Sequence, residues 1–268
     1  MPDLHTPQRR SFRNGGLTLS YLDVGGQGAA LIALHAHWME ATTFGPLAET
    51  LAPAWRVIAL DQRGHGYSDH APRDGGYTRD AYLSDLAALY AHLGLESAVL
   101  LGNSLGGVNA YQFAARHPGR VRALIIEDIG AVSTADTSFA LDWVGTFPTR
   151  AALEARIGPR LLRSLAPSIR ETAHGWRLAF DPEDAAASIV ASRGDHWADW
   201  LASECPALLV RGRESRVTTQ EQLEEMAARR PNTRLVTLEG GHTVHVDDPA
   251  AFADLVVDFL RDLENPAI

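Results

Sequence analysis

Residues 102–107 read Gly102-Asn103-Ser104-Leu105-Gly106-Gly107, and the architecture expected of the chain follows from them. The hexapeptide fits G-x-S-x-G, and its flanks fit as well. The apolar run Ala98-Val99-Leu100-Leu101 precedes it. A helix-compatible run from Val108 to His117 follows it and is stopped by Pro118. Strand, tight turn and helix in that order form an elbow that presents a nucleophilic serine. The turn strains the serine backbone. Gly102 and Gly106 are required because a side chain at either would strike the neighbouring strand or helix. Ser104 Oγ is therefore expected at the C-terminal edge of a sheet, with the N-terminus of the next helix beneath it.

The surrounding pattern alternates strands and helices. Ser11–Arg13 and Leu17–Asp23 read as short strands around the turn signal Asn14-Gly15-Gly16. Ala29–Leu34 and Arg56–Leu60 are continuous apolar runs, as expected of strands buried on both faces. Thr78–Leu93 is an amphipathic helix with Leu83, Leu86, Ala87, Tyr90 and Leu93 at helical spacing, ended by Gly94. Val121–Glu127, Ala207–Val210 and Leu235–Leu238 are the later strands. Pro249–Leu263 is the closing helix, with proline in its first turn. The order predicts a mostly parallel, eight-stranded sheet covered by helices on both faces.

From about Ala131 to Glu204 the alternation stops. No convincing strand is legible there, and four of the six tryptophans (Trp143, Trp176, Trp197, Trp200) fall in this stretch. It reads as a helical lid inserted after the sixth strand. The expected organisation is a core of residues 1–130 and 205–268 with a cap of 131–204. Such a cap would supply the apolar pocket that substrate sites prefer.

Composition sets bounds. The chain has 268 residues, 46% of them hydrophobic, enough for one large α/β domain. A net charge of −9 argues against a nucleic-acid partner. The single cysteine, Cys205, cannot form an internal disulfide. Arg9-Arg10 superficially resembles a twin-arginine signal, but no apolar stretch follows. No run reaches the roughly 18 apolar residues of a membrane span. The expectation is a soluble, cytoplasmic monomer or homodimer that acts on a small molecule and needs no cofactor.

These motifs together resemble the α/β-hydrolase fold family over nearly the whole chain. Besides the elbow, Asp61-Gln62-Arg63-Gly64-His65-Gly66-Tyr67-Ser68 is similar to that family's D-x-R-G-x-G-x-S loop. Gly240-Gly241-His242 with Asp248-Pro249 is similar to its late G-H…P segment. His35-Ala36-His37 stands where the family usually has H-G-x.

A serine hydroxyl needs a base, and the base needs an orienting acid. His242, on a loop after a strand, is the favoured base, with His245 as its nearest competitor. His65, His70 and His117 read as loop or surface residues. The acid is less direct. The family's usual place is a G-x-x-D pattern after the seventh strand, where this chain has Gly212-Arg213-Glu214-Ser215. Some members take the acid from the end of the sixth strand, here Glu127-Asp128-Ile129-Gly130, and that resemblance favours Asp128. Glu214 and Glu127 remain alternatives. By strand alternation Glu127 and Asp128 point to opposite sides.

The resemblance also implies an oxyanion hole from the backbone N–H groups of Leu105 and His37. Ala36 replaces the family's usual glycine in that loop and restricts it. Trp38, Met39, Trp143 and Phe147 are expected to line the substrate pocket. His35 and His37 lack a matching third ligand, so no metal site is expected.

The implied reaction is hydrolysis of a small or medium carboxylic ester through an acyl-enzyme on Ser104. The same triad can cleave C–C, lactone or amide bonds. A cap-facing arginine or histidine would favour acidic ring-cleavage products, with His174, Arg177 and His196 as candidates. Acyl transfer and cofactor-free peroxidase chemistry are further relatives' options. A serine rather than an aspartate at the elbow disfavours dehalogenation and epoxide hydrolysis. A rival of another class is a non-catalytic ligand-binding member of the fold.

Overall fold

The structure is a computed structural model and describes residues 7–264 apart from Gln27 and Ala135. Its centre is an eight-stranded sheet built from β1 (Gln8–Asn14), β2 (Leu17–Asp23), β3 (Ala29–Leu34), β4 (Trp55–Leu60), β5 (Ala98–Asn103), β6 (Val121–Glu127), β7 (Ala207–Gly212) and β8 (Thr233–Leu238). The strand order is β1-β2-β4-β3-β5-β6-β7-β8. β2 runs antiparallel to both β1 and β4, and every other neighbouring pair is parallel.

Why the central strands read as unbroken apolar runs is visible in the packing. Ile32, Leu34, Leu100, Leu124 and Ile126 point into one apolar layer. Their neighbours Leu31, Ala33, Val99, Leu101 and Ile125 point into the other. With both faces buried, alternation sorts side chains between two cores rather than between core and water. The first layer is covered by α2 (Arg79–Leu93), α3 (Leu105–Arg116) and α4 (Gln220–Arg229). The second is covered by α1 (Gly45–Leu51) and α5 (Pro249–Glu264).

Local signals set the helix ends. Thr78 caps α2 by accepting the Ala81 N–H, and Gly94 ends it with φ 65°. The buried face of α2 is shifted from the one expected: Tyr82, Leu83, Asp85, Leu86, Leu89 and Tyr90 are buried, whereas Ala87 and Leu93 lie at its margin. Asp85 tolerates burial because Arg63 grips it with two bonds of 2.6 and 2.8 Å. That bond also ties the Asp61–Ser68 loop to α2.

The chain between β6 and β7 is not purely helical, which corrects the sequence expectation. Val132–Ser133 pairs with Gly194–Asp195, and Ile169–Thr172 pairs with Gly175–Leu178 across a two-residue turn. Strands of two to four residues are too short to show alternation above the background of the sequence. Around them lie the short helices Arg150–Ile157, Pro159–Leu165, Pro182–Ser192 and Trp197–Leu201. An apolar cluster that includes Trp143, Leu153, Leu178 and Phe180 is assembled within this segment, and Trp38 and His65 pack against it from the rest of the protein. No helix among the described residues is long and apolar enough to cross a membrane.

Candidate active site

Ser104 sits between β5 and α3 with φ 52° and ψ −111°. A Cβ on Gly102 would lie 2.2 Å from Gly106 O, and one on Gly106 would lie 2.0 Å from Leu34 O. No side chain fits at either position, so the strand and the helix can approach only through glycine. The bend is held by Ser104 N–H donating to Glu127 O (3.1 Å), which joins the elbow to the end of β6. Leu105 opens α3, and the N–H groups of a helix's first turn have no intrahelical acceptor.

Four described non-glycine residues have positive φ: Trp38, Ser104, Asp128 and Asn232. Ser104 is the elbow itself, and Asp128 follows Glu127, whose carbonyl accepts the Ser104 N–H. Strained backbone concentrated in one place marks a site that the fold holds against its own preference.

His242 follows β8. Its Nδ1 donates to Asp128 Oδ2 at 2.7 Å, and its carbonyl accepts the Asn103 side-chain amide at 3.0 Å. Asn103 is the residue before Ser104, so this bond fixes the histidine loop to the elbow. The imidazole remains 28% exposed while Asp128 is fully buried.

The Asp128 carboxylate is fully provided with donors. Ser215 Oγ donates to Oδ2 alongside His242, and Thr218 Oγ1 donates to Oδ1 at 2.7 Å. Its backbone N–H is bonded to Val210 O at 2.8 Å. A buried carboxylate needs this satisfaction. The sequence reading above does not assign Ser215 or Thr218 as its donors. The signal was present, because Ser215 stands at the usual acid position and a carboxylate moved to β6 needs a donor there.

Glu127, on the opposite side of the strand, holds a second histidine. Its carboxylate accepts the backbone N–H of His245 at 3.0 Å and His245 Nδ1 at 2.7 Å. His245 Nε2 meets Thr43 Oγ1 at 2.8 Å, and the ring stacks on Phe44 at 4.9 Å. Glu127 and His245 are thus engaged with each other, away from His242. Glu214 is exposed, and its backbone N–H bonds Gly240 O at 2.9 Å. Among the described residues its carboxylate makes no hydrogen bond to His242.

On the loop after β3, the conformation at position 36 is one that alanine adopts without strain. Ala36 has no positive φ, and the left-handed residue is Trp38 (φ 72°). His35 is locked by its neighbours: Nδ1 bonds Ala36 O at 2.7 Å, and Nε2 accepts the Gln62 N–H at 3.0 Å. Both ring nitrogens are therefore in use. His37 Nε2 meets Ser188 Oγ at 3.0 Å, a link to helix Pro182–Ser192. Burial pushes the His37 pKa well below the ordinary histidine value, with His65 and Arg79 adding to the shift.

Of the four expected pocket residues, Trp38 and Trp143 meet edge to face at 5.2 Å. Phe147 is half-buried against the same cluster, and its backbone pairs with Trp176. Met39 is buried apart from that cluster. Among the histidines read as loop or surface residues, His65 is instead buried and stacked on Phe180 at 5.8 Å. His174 and Arg177 are exposed. His196 is buried but occupied, with Nε2 bonding Ser192 O at 2.9 Å.

Comparison with known proteins supports the fold. A family profile for the alpha/beta hydrolase fold matches residues 30–158. The 2-hydroxymuconate semialdehyde hydrolase of a Pseudomonas species is 32% identical over 261 residues, 91% of this chain and 90% of that protein. The 2-(acetamidomethylene)succinate hydrolase of Mesorhizobium japonicum is 28% identical over 263 residues, 92% of each. An esterase from a marine microorganism superposes with a TM-score of 0.79 at 27% identity, covering 90% of this chain and 98% of that one.

Proposed function

Since the chain belongs to the α/β-hydrolase fold family and its relatives are hydrolases, we propose that it is a serine hydrolase that cleaves carboxylic esters through Ser104, His242 and Asp128. One observation carries the reading. The imidazole of His242 is held by a buried carboxylate at 2.7 Å and tied through Asn103 to the turn that bears a strained serine.

In this mechanism His242 Nε2 takes the Ser104 proton as Oγ attacks the substrate carbonyl. The negative charge that develops on the carbonyl oxygen is met by the N–H groups of Leu105 and His37. Oriented donors of this kind are worth about 10²–10³-fold each. His242 returns the proton to the leaving alcohol, and water activated by His242 then releases the acid. Asp128 keeps the Nδ1–H tautomer in place and stabilises the imidazolium as it forms. Residues 131–204 act as a cap, with Trp38, Met39, Trp143 and Phe147 on the apolar side of the pocket.

A second reading, C–C or lactone cleavage by the same triad, is favoured by the 2-hydroxymuconate semialdehyde hydrolase among the relatives. Hydrolysis of p-nitrophenyl acetate, butyrate and octanoate by wild type and by Ser104→Ala separates the readings. Turnover that disappears in the variant supports the esterase. Absence of turnover in wild type supports the second reading.

A further inference from the structure

Arg79 is a cation without an acid. It is the first residue of α2, and its Nη1 donates to Asn109 Oδ1 at 2.8 Å. Nη2 reaches Ser188 Oγ at 3.3 Å and Ser188 O at 3.5 Å, and the guanidinium lies 4.6 Å from the centre of the Tyr82 ring. Its Nε is buried and bonds nothing among the described residues. All of its hydrogen-bond partners are neutral.

Other arginines nearby are treated differently. Arg63 is held by Asp85 on two bonds, and Arg73 contacts Asp181, Glu183 and Asp184. Burial with no counter-charge pulls the Arg79 pKa below the ordinary arginine value, and Arg63 adds like-charge repulsion. Guanidinium stays protonated in proteins, so the half-buried Arg79 keeps a positive charge with no acid against it.

The position says where that partner would come from. Asn109 lies on α3, the helix that begins beside Ser104. Ser188 Oγ, which Arg79 touches, is 3.0 Å from His37 Nε2 on the proposed oxyanion loop. Arg79 thus stands where the elbow helix, the His37 loop and helix Pro182–Ser192 converge. Tyr111, also on α3, keeps a buried hydroxyl with no partner among the described residues.

We infer that Arg79 is a specificity-determining residue that binds a carboxylate carried by the substrate, next to the proposed catalytic centre. The inference rests on the hydrolase reading for its location, and it narrows the substrate class to acidic carbonyl compounds. Guanidinium suits this task because its N–H fork matches the two oxygens of a carboxylate.

The test uses binding and turnover in parallel. Succinate is titrated into wild type and Arg79→Met by calorimetry, with circular dichroism to show that both are folded. The expected result is binding to wild type that weakens about 10- to 100-fold in the variant, the range for a hydrogen bond to a charged group. Turnover compares mono-p-nitrophenyl succinate with p-nitrophenyl butyrate. The ratio of their kcat/KM values is expected to fall at least about tenfold in Arg79→Met. A merely structural arginine would lower both rates together and leave the ratio alone. An unchanged ratio with unchanged succinate affinity overturns the inference, as does failure of wild type to bind succinate. Persistence of both reactions in Ser104→Ala would instead overturn the catalytic reading and leave the binding result standing.

Discussion

The Ser215 hydroxyl donates to Oδ2 of Asp128, the same oxygen that receives the His242 Nδ1–H. The residue at the family's usual acid position has thus become a donor to an acid at the end of the neighbouring strand. β6 and β7 pair side by side, with Glu127 opposite Val210, so the two positions are close although 87 residues apart in sequence.

If Asp128 orients the base, Asp128→Asn should lower turnover by about 10³–10⁴-fold with the fold intact, because the amide favours the wrong histidine tautomer. Glu214→Gln should stay within a few-fold of wild type. The double variant Asp128→Asn/Ser215→Asp returns a carboxylate to β7 and should recover at least about tenfold of the loss. Steady-state kinetics on one ester checks all three, and a near-normal rate in Asp128→Asn would refute the assignment.

The Glu127–His245 pair should matter for stability. Both side chains are buried, at 0% and 1% exposure. His245→Ala leaves the Glu127 carboxylate with a backbone N–H in place of its imidazole partner. Breaking such a buried pair costs about 3–5 kcal/mol. Urea denaturation should register a loss of that order, and a change under about 1 kcal/mol would show that the pair is not a structural pin.

Gly106→Ala should disrupt the elbow itself. The new methyl would stand 2.0 Å from Leu34 O, a backbone atom of β3 that cannot swing aside. Overpacking of this kind costs about 1–3 kcal/mol or more. Thermal denaturation should show a lowered midpoint, accompanied by loss of activity. An unchanged midpoint would mean that the approach of α3 to β3 is looser than described.

Acid should destabilise the protein through its buried histidines. Burial pulls the pKa of His35 from 6.5 to about 4 and that of His65 to about 3. As pH falls below 6.5 the unfolded chain takes up these protons and the folded chain does not. Unfolding therefore becomes easier on acidification. Each such histidine contributes a slope of up to about 1.4 kcal/mol per pH unit until its folded pKa is reached. Above neutrality the effect vanishes. Urea midpoints at pH 7.5, 6 and 5 should fall in that order, and a flat series would contradict the burial of these rings.

The elbow and the sheet were legible in the sequence because both rest on local rules. Glycines at fixed offsets around Ser104 and unbroken apolar runs require no knowledge of distant residues. The end of β6 was half legible. Alternation separates Glu127 from Asp128, but which histidine each one meets depends on the loop after β8. The short strand pairs at 132–133 and 169–172 are not legible in the sequence, because two to four residues carry too little pattern. Arg79 was invisible for another reason. A charged residue opening a helix is ordinarily solvated, and Ser188, which helps to half-bury it, comes from a helix 109 residues away.

The proposed nucleophile is tested most directly by covalent capture. Wild type is treated with a fluorophosphonate, digested and sequenced by mass spectrometry, beside Ser104→Ala and His242→Ala. A phosphonyl adduct on the Ser104 peptide, absent in Ser104→Ala and formed far more slowly in His242→Ala, is the predicted result. An adduct on another serine, or equal labelling of Ser104 with and without His242, would contradict it.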